Sequence, residues 1–394
     1  MRMPELLLPA GNLEKMKIAL LYGADAVYFG AKYYSLRAQA SNFTMDDISE
    51  GVKFAHSLNK KVYITVNVIP REKEIDGILE YLKKLEELNV DGLIISSPVI
   101  LDIARKHTNF HISISTQMSV INSNAVNYFY ENGAQRVVLG RECSIDEIKK
   151  IRKNTNAELE VFIHGGMCSA YSGRCTLSNY MSNRDANRGG CAHSCRWNYD
   201  IYDIDNNKLN GDDIFQIASK DLASVSYIKE LCEIGVESLK IEGRMKSLHY
   251  VATLAYTYRR LIDDIYSNNI KDYDYYKKLL ESSENRENAT GFFDGKNNED
   301  INLYSKIGLE ANQSFLGIVL DYDKEKKEAL FEVRNHFNAC EEAVVMSPNM
   351  ELFDIKIKSI IKNGEIVDSA KNALDKVIIK VDKDLKINDI LRRK

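Results

Sequence analysis

Tyr22-Gly23-Ala24-Asp25-Ala26-Val27-Tyr28-Phe29-Gly30 sets out the unit from which this fold is built. An amphipathic pattern reaches Tyr22 and stops at a glycine. An unbroken apolar run follows and is closed by a second glycine. A helix that ends at Gly, then a run with no polar alternation, reads as a crossover helix feeding a buried parallel strand. The same punctuation returns at Leu88-Asn89-Val90-Asp91, Glu131-Asn132-Gly133-Ala134 and Glu233-Ile234-Gly235-Val236. Strands of this type are expected at Leu6–Leu8, Ala26–Gly30, Val62–Asn67, Gly92–Ser96, His111–Ser115, Arg136–Gly140, Leu159–His164 and Ser238–Gly243. Eight such units, spaced widely enough for helices, predict an α/β fold, a TIM-like (β/α)8 barrel. A doubly wound sheet is the alternative, but no G-x-G-x-x-G follows a strand, so a dinucleotide site is unsupported.

The barrel is expected over residues 1–260, with a cysteine loop at 165–200 inserted between the seventh and eighth strands. Residues 261–312 are Tyr-, Asn-, Lys- and Glu-rich and read as a helical connector, with a helix near Asp272–Ser282. From 313 to 394 the pattern changes to strand–turn–strand, around Phe315–Leu320, Glu328–Val333, Phe353–Lys358 and Val377–Val381. Asn363-Gly364 is a hairpin signal. A small C-terminal β-barrel is predicted there.

Active sites of such barrels lie at the C-terminal ends of the strands. Asn67, Gln117, Arg141, Glu142, His164, Lys240, Glu242 and Arg244 close strands and are expected at that mouth, with Arg37 after the second strand. Arg37, Arg141, Lys240 and Arg244 together suit an anionic small molecule, because a guanidinium grips a carboxylate through two parallel hydrogen bonds. The blander reading is that Lys240, Glu242 and Arg244 pair with one another and with Glu142.

Four of the seven cysteines fall on the loop: Cys168, Cys175, Cys191 and Cys195, spaced C-x6-C-x15-C-x3-C among Gly, Ser, Asn and Arg. Clustered soft thiolates suit a metal or an iron–sulfur centre. Disulfides fit poorly, because the N-terminus has no signal-peptide pattern and a cytoplasmic setting is expected. Buried free thiols suit Cys143, Cys232 and Cys340, which have apolar neighbours in sequence. Zinc favours short spacings, which C-x3-C meets and C-x6-C does not, so spacing leaves iron–sulfur and zinc both open.

The chain has 394 residues and a net charge of −4, so no global field draws it to nucleic acid or membrane. No apolar run is long enough to span a bilayer. Any nucleic-acid contact must be local. Arg174, Arg184, Arg188 and Arg196 on the cysteine loop are one set, while Lys149, Lys150, Arg152 and Lys153 read as a solvated helix face. Hydrolase signatures G-x-S-x-G and H-E-x-x-H do not occur. Asn198 stands where a radical-SAM arrangement would carry its third cysteine.

The block Glu160-x-Phe162-x2-Gly165-Gly166-Met167-Cys168-x4-Gly173-x-Cys175-x-Leu177-Ser178 resembles the signature of the collagenase-like peptidases, peptidase family U-32, with Gly166 where the family has Ser or Ala. Leu7–Gly11, Asp25–Gly30, Ser219–Leu222, Lys240–Arg244, Thr290-Gly291-Phe292-Phe293, Arg334–Phe337 and Met346–Pro348 match further blocks. Cys340-Glu341-Glu342 replaces an expected Gly-Asp. Within the family the chain is most similar to the tRNA hydroxylation branch. The resemblance implies hydroxylation of a wobble uridine to 5-hydroxyuridine, tRNA as partner, dependence on prephenate, and a 4Fe-4S cluster on Cys168, Cys175, Cys191 and Cys195. Relatives differ at the fourth ligand, which makes Cys232 the reserve. The family name implies the alternative of a peptidase, for which His193 could pair with a thiol. A third alternative is a non-enzymatic tRNA-binding scaffold with structural zinc. A homo- or hetero-oligomer is compatible with all three.

Overall fold

A computed structural model describes residues 2–31, 34–35, 43–283, 286–295 and 314–394. The repeating unit found in the sequence closes into a barrel. Its strands are β1 (Glu5–Pro9), β2 (Ala26–Gly30), β3 (Lys61–Val66), β4 (Gly92–Ile95), β5 (His111–Ile114), β6 (Arg136–Val138) and β7 (Glu158–Gly165). Between β7 and the last barrel strand lies a short extra strand, β8 (Asp221–Ala223). The eighth barrel strand is β9 (Ser238–Ile241). Each of β1 to β7 pairs in parallel with the next, and β9 pairs in parallel with both β7 and β1. That closure removes the doubly wound alternative.

The punctuation before the strands has a structural cause. The polar residue before a strand reaches across and accepts the backbone N–H of the second residue of a neighbouring strand. Asp25 Oδ2 accepts from Leu6 at 3.0 Å, Asp91 Oδ2 from Val62 at 2.7 Å, Gln135 Oε1 from Ile112 at 2.7 Å and Glu237 Oε2 from Leu159 at 2.8 Å. These bonds occupy donors that the bottom edge of a barrel would otherwise leave unpaired. Gly23 is needed for a second reason. Its φ is +115°, and a Cβ there would stand 2.6 Å from Cγ of Arg259, so only glycine lets the long helix Leu248–Tyr266 pack this close.

Apolar residues fill the layer between the strands and their helices, from Leu6 and Leu8 to Leu261 and Ile262. A much smaller apolar set, Leu7, Ala26, Tyr28, Tyr63 and Ile94, fills the barrel interior. Charged residues make up much of the rest of that interior.

Three departures from the sequence reading concern this half. The last helix runs to Tyr266. β8 runs antiparallel to β7, and β10 (Asn288–Ala289) pairs in parallel with β8. The segment after the barrel therefore returns to the mouth instead of only linking two domains. The helix expected near Asp272–Ser282 is present at Tyr273–Glu281.

In the C-terminal part, the strands Phe315–Asp323, Glu328–Val333, Glu342–Met346, Leu352–Lys362, Lys376–Val381 and Ile390–Arg393 close an antiparallel barrel. It encloses its own core around Leu316, Phe331, Val345, Ile357 and Ile379. Asn363 and Gly364 both have positive φ, as the hairpin turn requires. This barrel is bound to the large one. The Tyr22 hydroxyl donates to the carbonyls of Met346 and Asn388 at 2.8 and 2.7 Å, and His249 stacks on Phe315 with ring centroids 5.0 Å apart. Among the described residues, no helix is long and apolar enough to cross a membrane.

Candidate active site at the barrel mouth

The inward-facing residues form levels. At the lowest, Arg136 of β6 donates to Glu5 at 2.6 Å, bridges to Glu158 at 2.8 Å and reaches Glu160 at 3.2 Å. The Tyr63 hydroxyl donates to Glu5 at 2.8 Å. Glu160 is fully buried and also accepts from Lys240 Nζ at 2.7 Å. A buried carboxylate without partners would take up a proton. Here Lys240 and Arg136 outweigh the loss of water and hold Glu160 below the ordinary carboxylate range. Lys240 Nζ also lies 4.3 Å from the centre of the Tyr28 ring.

This corrects the expectation for Lys240. Alternation along β9 turns Lys240 inward opposite Phe162, and its side chain reaches down to Glu160, where it is committed to an ion pair. Its partner is Glu160, and neither Glu142 nor Glu242.

One level higher, Phe162 carries the guanidinium of Arg141 on its face, 3.9 Å from the ring centre. Arg141 donates to the Gly166 carbonyl at 2.8 Å and to Glu242 at 3.4 Å. Arg244 is buried, with Ser35 Oγ at 3.5 Å and Thr65 Oγ1 at 3.4 Å. Asn67 Nδ2 donates to Gln117 Oε1 at 2.7 Å. Glu142 accepts from the Ser172 backbone at 2.8 Å and from its hydroxyl. Asn67, Gln117, Arg141, Glu142, Glu242 and Arg244 thus gather at one end of the barrel. His164 does not join them. It is buried against Tyr250 and Tyr258 of the long helix, its Nδ1 3.0 Å from the Tyr258 hydroxyl, and burial pushes its pKa down to about 3. Arg37 lies outside the described residues.

Beside Arg141 opens a cleft lined by Glu142, Met167, Cys168, Tyr171, Ser172 and Phe292. Its floor is held by a strap. Ser119 Oγ donates to the Ser172 carbonyl, and Arg174 Nε donates to Ser119 Oγ at 3.1 Å. Gly173 has φ +76°, and a Cβ on it would stand 2.1 Å from the Gln117 carbonyl oxygen. The segment between Cys168 and Cys175 is thereby riveted to the ends of β5 and β6.

The profile of peptidase family U32 matches residues 11–302, and that of the peptidase family U32 C-terminal domain matches residues 311–392. The chain belongs to peptidase family U32. It is 42% identical to tRNA hydroxylation protein P1 of Bacillus subtilis, over 99% of this chain and 94% of that protein. It is 33% identical to tRNA hydroxylation protein P of Haemophilus influenzae, over 98% and 95% of the two chains. A protein named Collagenase from Porphyromonas gingivalis is 27% identical over 99% and 97%.

The cysteine loop of this U32 chain carries the thiols that a metal or cluster would take. Cys168 and Cys191 are exposed, and Cys175 and Cys195 are partly so. The Cys168 thiol is pushed up, first by the protein that displaces water around it, although the residue still reaches solvent. Arg141 opposes the rise, while Glu242, Cys191 and Cys195 add to it. Cys195 likewise senses Cys191 and Cys175. The four thiols are therefore electrostatic neighbours. Among the described residues, no three His, Cys, Asp or Glu side chains are gathered as a metal site would gather them. Four sulfurs on one loop are the donor type a soft centre takes, but the loop as it stands does not draw three of them together.

Two other thiols are buried as expected, Cys143 and Cys232. Cys232 belongs to the apolar layer behind the strands, where burial pushes its thiol up to about 12, so as the reserve ligand it sits in the core and away from the loop. Cys340 is exposed, which corrects its reading as a buried thiol. It adopts φ +65° on a turn, the conformation the expected glycine would favour.

Tyr171, Ser172 and Phe292 line the cleft and were missed as site residues. Phe292 had a signal, since Thr290-Gly291-Phe292-Phe293 stood out as a block in an otherwise featureless connector. Tyr171 and Ser172 sit inside the family signature at positions it leaves unspecified.

Proposed function

We propose that this protein is a tRNA-modifying enzyme that takes part in hydroxylating a wobble uridine to 5-hydroxyuridine in the cytoplasm. The observation that carries the reading is the identity of 42%, over nearly the full length of both chains, with a tRNA hydroxylation protein. The architecture agrees with it, because a cleft at the C-terminal end of barrel strands is where this fold keeps its chemistry.

Cys168, Cys175, Cys191 and Cys195 are the residues that would hold a 4Fe-4S cluster. Such a cluster supplies one-electron chemistry at the mouth. Arg141 and Arg244 are the mouth cations that an anionic metabolite would meet, with prephenate the expected one. Zinc on the same thiols is the competing occupant. A peptidase reading draws on the relative named Collagenase. A thiol peptidase needs a base beside its nucleophile, and the described lining of the cleft holds no histidine.

The test is nucleoside analysis of tRNA from cells lacking this protein, complemented with wild type or with Cys168→Ala. Loss of 5-hydroxyuridine, restored by wild type alone, supports the reading. Unchanged modification in the deletion strain, with no second enzyme present, overturns it. Anaerobic purification should give a brown protein containing iron and sulfide. A colourless protein with stoichiometric zinc would replace the cluster assignment.

A further inference from the structure

The cysteine loop carries a surface that the thiols do not explain. Tyr171 is 57% exposed, Tyr180 87%, Met181 45% and Trp197 40%. A soluble surface rarely gathers this much aromatic area without a partner for it. These residues are also close in the fold. Tyr180 lies on the short helix Leu177–Ser182, which packs on the turn Ser194–Arg196 just before Trp197. The Ala192 N–H bonded to Ser178 Oγ at 3.0 Å ties the two together. Tyr171 is shared with the cleft beside Cys168.

Cations are interleaved with the rings. Arg184 follows the helix by two residues, and Arg196 precedes Trp197. Among the described residues no carboxylate pairs with either of them. Arg196 leans over Gly166 at the mouth, its Nη2 3.3 Å from where a Cβ on Gly166 would stand. Arg188, by contrast, is used internally, bonded to Glu74 at 2.6 Å. The hairpin after Tyr199 carries Asp203, Asp205, Asp212 and Asp213. That acidic arm repels a polyanion.

Exposed aromatic faces combined with free guanidinium groups match unpaired nucleotides. Every base offers a face for stacking, and every phosphate a charge. A double helix hides its base faces and would use only the cations. We infer that Tyr171, Tyr180 and Trp197 form a stacking platform for the unpaired bases of an RNA loop. Arg184 and Arg196 take its phosphates, and the platform feeds one base past Tyr171 into the cleft walled by Phe292 and Arg141. This rests on the tRNA reading above for the identity of the RNA, but it is a statement about this surface and can fail separately.

The test is fluorescence anisotropy with the full-length protein. The probes are a labelled RNA hairpin with an unpaired uridine-bearing loop and a blunt RNA duplex of equal length. The hairpin should bind more tightly than the duplex. Tyr180→Ala and Trp197→Ala should each weaken hairpin binding by roughly five- to a hundredfold, the range that base–aromatic stacking spans, and Tyr180→Phe should restore it. Arg184→Ala should lower the slope of log affinity against log salt by about 0.7, as loss of one single-strand phosphate contact does. Equal binding of hairpin and duplex, or alanine variants that bind as wild type does, would overturn the platform. If stacking-dependent binding holds while tRNA from the deletion strain keeps its hydroxyuridine, the platform stands and the hydroxylation reading falls.

Discussion

His249 sits where the two barrels meet. It is buried, stacked on Phe315, and its Nε2 has no hydrogen-bond partner among the described residues. Burial pushes its pKa down to about 3, and the neighbouring Arg392 pushes in the same direction. His164 is held equally low. A histidine whose folded pKa lies below its unfolded value stabilises the fold fully above about pH 6.5. That contribution is lost as pH falls from 6.5 towards 3. At a pH two units below the unfolded value, each ring should therefore have given up ~2–3 kcal/mol. His249→Phe keeps a flat ring against Phe315 and removes the proton. Its melting temperature should match or exceed that of wild type at neutral pH, and the gap should widen on acidification. A parallel pH dependence for both proteins would mean that His249 is not a source of the acid sensitivity.

At the scale of elements, the strap from Ser172 to Arg174 sets the spacing of Cys168 and Cys175. Gly173→Ala places a side chain against the Gln117 carbonyl and strains φ, by about 1–2 kcal/mol from conformation alone. The strap should lift and its thiols separate. On the proposed cluster assignment, iron retained per chain should fall severalfold while the melting temperature moves little. Iron content equal to wild type would show that the strap does not position those cysteines. The strands and the glycines between them were legible because burial on both faces writes an unbroken apolar run. Phe315–Asp323 was legible from its apolar start and Lys376–Val381 from its mostly apolar, partly alternating pattern. Glu342–Met346 and Ile390–Arg393 were not, since each offers only a short apolar stretch next to charged residues. Within the site, residue type disclosed which groups close a strand but not how far along it they sit. That is why Lys240 reads as a mouth cation when its side chain is one level down in an ion pair, and why His164 reads as a mouth base when it turns to the helix layer. The β7–β9 register carries an irregularity between Phe162 and His164 that no composition signals.

The whole molecule is two barrels joined by directional bonds. The Tyr22 hydroxyl serves two carbonyls of the small barrel, Tyr256 donates to Met350 at 3.2 Å, and Arg334 pairs with Glu14 at 3.1 Å. Heating should therefore give one cooperative transition in calorimetry. Tyr22→Phe leaves two carbonyls without that donor and should lower stability by ~1–3 kcal/mol. Two separated transitions in wild type would show that the barrels unfold independently.

The ion network inside the large barrel also bears on how a ribosome makes this chain. Glu160 emerges with the seventh barrel strand, and its partner Lys240 follows 80 residues later, after the cysteine loop. Until then Arg136, helped by His111 at Glu158 and the Tyr63 hydroxyl at Glu5, must answer three carboxylates, Glu5, Glu158 and Glu160. Excess negative charge resists being dried, so a nascent barrel of seven strands stays hydrated and open along its seam. The delay keeps the interior wet while the long loop is threaded out.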